Sequence, residues 1–151
     1  MPEKQTLDRA RADKRTGKSP STQAGEFVRE QIDHIREGKH GARSTKQAIA
    51  IGLSEARRSG VDLPPPSGAA SAQSRKKAAR DSAKGNGSIS RGKISATRSR
   101  ATEKALKREG TAAASSRSLA RQARSSAAQR TPAARSAAAR KAAATRASHR
   151  R

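Results

Sequence analysis

Residues 19–60 read SPSTQAGEFVREQIDHIREGKHGARSTKQAIAIGLSEARRSG, and this stretch decides the fold class. Ala24, Phe27, Val28, Ile32 and Ile35 recur at helical spacing, so one face of residues 20–37 is apolar. Ser19 can cap that helix, Pro20 suits its first position, and Gly38 can take the left-handed conformation that ends it. A second helix is expected over residues 45–59. Ser44 and Gln47 fit a capping box, with the Gln47 side chain reaching back to Ser44. Ile49, Gly52, Leu53 and Ala56 form its stripe, with Ile51 beside it. Arg57 and Arg58 sit where the helix dipole favours cations, and Gly60 is placed to close a Schellman motif with Val61 folding back on Ala56. Gly52 costs about 1 kcal/mol against Ala inside a helix, which calls for a packing reason: close approach of the first helix.

Outward from this hairpin the composition changes. Residues 1–63 carry 13 Lys/Arg and nine acids, whereas residues 64–151 carry 22 and three. Leu, Ile, Val and Phe make up only 14 of the 151 residues, too few to offset the ordering entropy of one domain spanning the chain. Pro64-Pro65-Pro66 marks the change and favours an extended linker. The expected architecture is mainly α: a small helical hairpin head followed by a largely disordered, partly helical cationic tail. Residues 1–18 read as a weakly helical polar segment, with a weak helix at 3–15 whose only large apolar residue is Leu7. Residues 19–63 form the head and 64–98 a disordered Pro/Ser/Gly/Lys/Arg linker. Residues 99–151 form an Ala/Arg-rich tail with helix propensity at 100–109, 116–129 and 133–147. Arg–Arg repulsion is expected to hold the tail helices back until a polyanion neutralises them. The head core would be Phe27, Val28, Ile32, Ile35, Ile49, Leu53 and Leu63. So small a core is marginal alone, and a homodimer through the head, or packing of Leu7, would supply burial.

Several functions are excluded or disfavoured by residue type. The chain has no Cys, so disulfides, thiolate metal sites and Cys nucleophiles are ruled out. No apolar run approaches a membrane span, and the first thirty residues contain no secretory apolar stretch. His34, His40 and His149 show no ligand spacing, so no metal or other cofactor is expected. Glu26, Glu30, Asp33 and Glu37 read as helix surface charges. No Ser has a His/Asp context, so no enzyme activity is expected.

The charge points to a polyanion. Residues 110–151 carry ten Lys/Arg and no acid, spaced to meet successive phosphates and release counterions. The turn Lys39, His40, Arg43 and Lys46 leads into a helix N-terminus, where free N–H groups suit a phosphate oxygen. The candidate phosphate-binding residues continue with Arg57 and Arg58, then Arg75, Lys76, Lys77 and Arg80 in the linker. Arg98, Arg100, Lys104, Lys107 and Arg108 follow. Arg117, Arg121, Arg124 and Arg130 come next, then Arg135, Arg140, Lys141, Arg146, Arg150 and Arg151. A helix-turn-helix reader is a weak reading because the turn is long, and the tail has no aromatic residue to stack on bases. The expected function is largely sequence-independent binding of duplex DNA through phosphates, with bridging or compaction. RNA or ribosome binding is the alternative, as is a protein-interaction module whose head dimerises and whose tail is an anchor.

The run from Gly25 to Arg58, with KHGARSTKQAIAIGLSEARR at residues 39–58, resembles a family of small basic bacterial proteins of unknown function, often described only as DNA-binding. The likeness covers roughly residues 19–66. The tail is similar in kind to bacterial linker-histone-like proteins. These resemblances imply a bacterial cytoplasmic, nucleoid-associated setting and bring no catalytic residues.

Overall fold

The computed structural model describes residues 2–66, 70–89 and 95–148. Within them lie seven α-helices and no strand. They are α1 (Lys4–Arg15), α2 (Pro20–Arg36), α3 (Thr45–Arg58), α4 (Ala72–Gly85), α5 (Ala96–Lys107), α6 (Ser116–Ala128) and α7 (Pro132–Ser148), with a 3₁₀ turn at Ala112–Ala114. Two compact units are present, Met1–Ser115 and Ser116–Arg151.

Glycine closures set the ends of the first three helices. Gly17, Gly38 and Gly60 all have positive φ, at 72°, 74° and 88°. After each, the next amide folds back: Lys18 N–H onto Asp13 O, Lys39 N–H onto His34 O, and Val61 N–H onto Ala56 O. These are Schellman closures, and they turn the chain sharply enough for α1, α2 and α3 to pack in succession. Ser44 Oγ accepts from Gln47 N–H at 3.2 Å. Gln47 Oε1 reaches back to Arg43 N–H at 2.9 Å, one residue before the expected Ser44. Ser19 caps α2 by position only, its hydroxyl meeting Ser21 and Thr22 hydroxyls rather than a backbone N–H.

The core of the first unit joins Ala10 of α1, Ala24 and Phe27 of α2, Ala56 of α3, and Val61 and Leu63 beyond it, with Leu7 and Leu53 packed against them. Ile32, Ile35, Ala42, Ala48, Ala113 and Ala114 are buried as well. Gly52 does what its position demanded. A Cβ there would lie 2.7 Å from Val28 Cα, so α2 and α3 touch backbone to backbone.

A small hairpin with a largely disordered tail is not what forms. α1 packs on α2, α4 packs on α3, and the 3₁₀ turn packs on both α2 and α3, so the head is a multi-helix assembly. The stretch assigned to a disordered linker contains α4, and the tail is helical over 96–107, 116–128 and 132–148. Two physical reasons account for the difference. Burial in the second half uses small residues, which a count of large apolar side chains overlooks. Ala78, Ala113 and Ala114 are buried, and a Cβ on Gly85 would collide with Arg57 O. Charge repulsion is also weaker than expected, because cations project to solvent on helices made of strong helix formers. α7 is exposed along its whole length and carries nine Ala among its 17 residues, so propensity alone accounts for it. His149, Arg150 and Arg151, like linker residues 67–69 and 90–94, lie outside the described residues. No helix among the described residues is long and apolar enough to cross a membrane.

Candidate nucleic-acid interface

Helix α4 shows how a polar sequence presents charge. Its contact side is short: Ala78 and Asp81 are buried where α4 packs within the first unit, and Gly85 lets the helix end approach Arg57. Arg75, Lys76, Lys77 and Arg80 are exposed, and half-buried Lys84, absent from the sequence-based set, belongs to the same helix. Asp81 points inward, with Oδ1 3.9 Å from Arg58 Nε. The one acid of α4 therefore does not cancel the outer cations.

α6 is more regular. Arg117, Arg121 and Arg124 are exposed and stand at i, i+4 and i+7, which aligns them on one face over roughly 10 Å of helix rise. The half-buried residues Ser118, Leu119, Gln122 and Ser126 lie away from that stripe. Ala120, Ala123 and Ala127 are exposed, so Leu119 is the one large apolar residue on the half-buried side. On α7, Arg135 and Arg146 share a face eleven residues apart, while Arg140 and Lys141 project elsewhere; all four are exposed. Arg98, Arg100, Lys104, Arg108 and Arg130 are exposed, and Lys107 pairs with Glu103 at 2.8 Å. That hydrogen bond holds the Glu103 carboxyl below its ordinary range.

At the end of α3, Arg57 is held within the fold while Arg58 stays exposed. Arg57 is buried, and its Nη2 donates to Pro64 O at 3.2 Å, tying the proline segment to the end of α3. Arg58 Nε donates to Ser54 O at 3.1 Å beside Asp81.

The turn before α3 is the largest revision. It was expected to offer free N–H groups to a phosphate. Instead Gly41 N–H donates to Leu106 O at 2.9 Å, Ala42 N–H to Gly110 O at 3.2 Å, and Arg43 N–H to Gln47 Oε1 at 2.9 Å. Thr45 Oγ1 donates to Ala113 O at 2.6 Å. Two of these donors go to Leu106 in the last turn of α5 and to Gly110 beyond it, and the chain there lies so close that a Cβ on Gly41 would collide with Glu109 O. His40 is half-buried, with Nδ1 3.1 Å from Gly41 O. Lys39 pairs with Glu37 at 3.0 Å and Glu3 at 3.2 Å, and these hydrogen bonds, that to Glu37 first, raise its pKa. Lys39, Arg43 and Lys46 keep exposed side chains there, Lys39 within its ion pairs.

A second grouping escaped the sequence reading. Glu3, Glu30 and His34 come together, with His34 Nε2 2.9 Å from Glu3 Oε1 and 3.9 Å from Glu30 Oε1. Glu3 N–H donates to Glu30 Oε1 at 2.8 Å. Glu30 is buried, not a surface charge. The available signal was the i,i+4 spacing of Glu30 and His34; Glu3 is too distant in sequence to be found that way. The hydrogen bond from His34, then that from Lys39, keeps the Glu3 carboxyl below its usual range. Nearby, burial and then repulsion from Glu30 push the Glu55 carboxyl up from its ordinary 4.5, opposed by the 2.7 Å hydrogen bond that Gln31 Nε2 donates to it.

Residues 12–67 match a family of unknown function (DUF6496). The match spans the last turn of α1, α2, α3 and the proline segment, and leaves out α4 to α7. No curated protein and no solved structure matches the chain.

Proposed function

We propose that this chain binds duplex DNA through its phosphates, with little sequence preference, and bridges or compacts it. The supporting observation is the outward cationic surface of the helical second half. Residues 64–151 hold 22 Lys/Arg against three acids, and two of those acids are engaged internally, Asp81 beside Arg58 and Glu103 with Lys107. Each cation that neutralises a phosphate releases counterions, which drives binding without base readout. Duplex DNA is favoured over single strands because the chain's one aromatic residue, Phe27, is 1% exposed and has no face to stack on a base. A basic, bacterial, nucleoid-associated and histone-like role belongs to the same proposal.

The test is a salt titration of the full chain on random-sequence duplex DNA and on matched duplex RNA. The expected slope of log K on log salt is about −5 or steeper, equal for unrelated DNA sequences. A slope shallower than about −2, or strong discrimination between DNA sequences, would count against phosphate-driven binding. Tighter binding to RNA at every salt concentration would replace DNA by RNA as the partner.

A further inference from the structure

We infer that Glu3, Glu30 and His34 form a binding site for a divalent transition-metal ion of the zinc type. One ligand atom from each of the three lies within 4.8 Å of the other two. Glu30 and His34 stand one turn apart on α2, and packing of α1 on α2 brings Glu3, the residue capping α1, over them.

The second observation concerns Glu30. Its side chain is 3% exposed and faces Glu3 and His34. Oε1 accepts from Glu3 N–H, but Oε2 is fully buried and has no partner. A buried carboxylate oxygen left without a donor or cation is costly, and such groups are normally paired or bound to metal. Lys39 Nζ is engaged by Glu3 and Glu37 rather than by Glu30. His34 Nε2, at 3.9 Å from Glu30 Oε1, is beyond hydrogen-bond range.

The donor set selects the ion class. One imidazole nitrogen and two carboxylates suit zinc and its neighbours, whereas magnesium and calcium favour sites made of oxygen alone. Three protein ligands with water in the fourth position is a common zinc arrangement. Ligand atoms around tetrahedral zinc stand about 3.3 Å apart, so separations of 2.9 Å and 3.9 Å, with the third within 4.8 Å, require shifts of about 1.5 Å or less. The ion would join the residue that caps α1 to the C-terminal part of α2, so binding would be read as stabilisation of the fold.

The experiment uses the chelator-treated full chain, titrated with zinc chloride by calorimetry and followed by thermal unfolding. The expected result is one zinc per chain with a rise in Tm. Glu3→Gln and His34→Ala should each weaken binding by about tenfold or more, and His40→Ala should leave it within about threefold. Glu3 is exposed at the chain start, so E3Q keeps the test decisive should H34A fail to fold. Manganese and magnesium chloride serve as comparison ions, with magnesium expected to have no effect. Absence of binding by the wild-type chain at about 100 μM free zinc would overturn the proposal and leave the cluster a plain Glu–His ion pair. Binding by E3Q and H34A as tight as wild type would overturn it as well, placing the metal elsewhere.

Discussion

The contact between α2 and α3 makes a sharp prediction from a single methyl group. Gly52→Ala places a Cβ 2.7 Å from Val28 Cα, 2.9 Å from Val28 N and 3.0 Å from Phe27 O. Carbon atoms prefer about 3.5–4.0 Å, so the deficit approaches 1 Å. Every atom met is backbone, and none can swing away as a side-chain tip would. The two helices must separate, loosening Phe27 and Ala56, which pack beside the contact. Overpacking of this kind costs roughly 1–3 kcal/mol. The higher helix propensity of Ala returns about 1 kcal/mol. The net expectation is a loss of up to about 2 kcal/mol. Gly25, inside α2, isolates the propensity contribution, because a Cβ there meets nothing within 4 Å. Gly25→Ala should therefore stabilise, by at most about 1 kcal/mol. Urea unfolding followed by circular dichroism at 222 nm compares the two variants with the parent. A G52A chain stabilised as much as G25A would refute the backbone contact between α2 and α3.

Three further outcomes are expected. Arg117, Arg121 and Arg124 changed together to Ala should preserve helix and shift the salt slope by about 2.7, so that affinity falls about 40-fold less than the parent's between 50 and 200 mM salt; an unchanged slope would remove α6 from the interface. Glu55→Gln should stabilise the chain at pH 7. The folded Glu55 carboxyl titrates above its ordinary 4.5, so the native state holds the proton longer and stability falls as pH rises through that window. The variant should lose its advantage below about pH 4, and equal denaturation midpoints at pH 7 and pH 4 would contradict this. Thr45→Val removes the 2.6 Å hydrogen bond to Ala113 O and leaves a buried carbonyl unpaired. It should cost about 1–3 kcal/mol in the same urea assay, and no loss would mean that the 3₁₀ turn is not held there.

The limits of α2 and α3 were readable because local chemistry fixes them: Pro20 at the start, Ser44 with Gln47 at the cap, Gly38 and Gly60 at the ends. Gly52 was readable because a costly residue in a helix implies a close neighbour. What lay hidden was burial by alanine. Ala10, Ala78, Ala113 and Ala114 join Ala24 and Ala56 of the two stripes in the interior, yet each looks neutral in a tally of Leu, Ile, Val and Phe. The tail's helix propensity was legible, but the outcome of its contest with repulsion depends on where each guanidinium points. The same limit applied to the interface. Arg57 resembles any other arginine in sequence, and only its place under Pro64 shows that the fold consumes it. The meeting of Glu3 with His34, and of Leu106 with Gly41, depends on tertiary packing that no local pattern encodes.

The bonds from Gly41 and Ala42 to Leu106 and Gly110 close a loop of about 65 residues, whereas the neighbouring turns close within a handful. Ring closure over that distance is entropically slower than pairing α1, α2 and α3, so it forms after they do. The two amides therefore record a separate event. Their exchange with deuterated water measures how often the segment after α5 lifts off, independently of whether the three leading helices stay folded. A fragment ending soon after the proline segment would carry both amides uncovered, exchanging at the rate of an open turn.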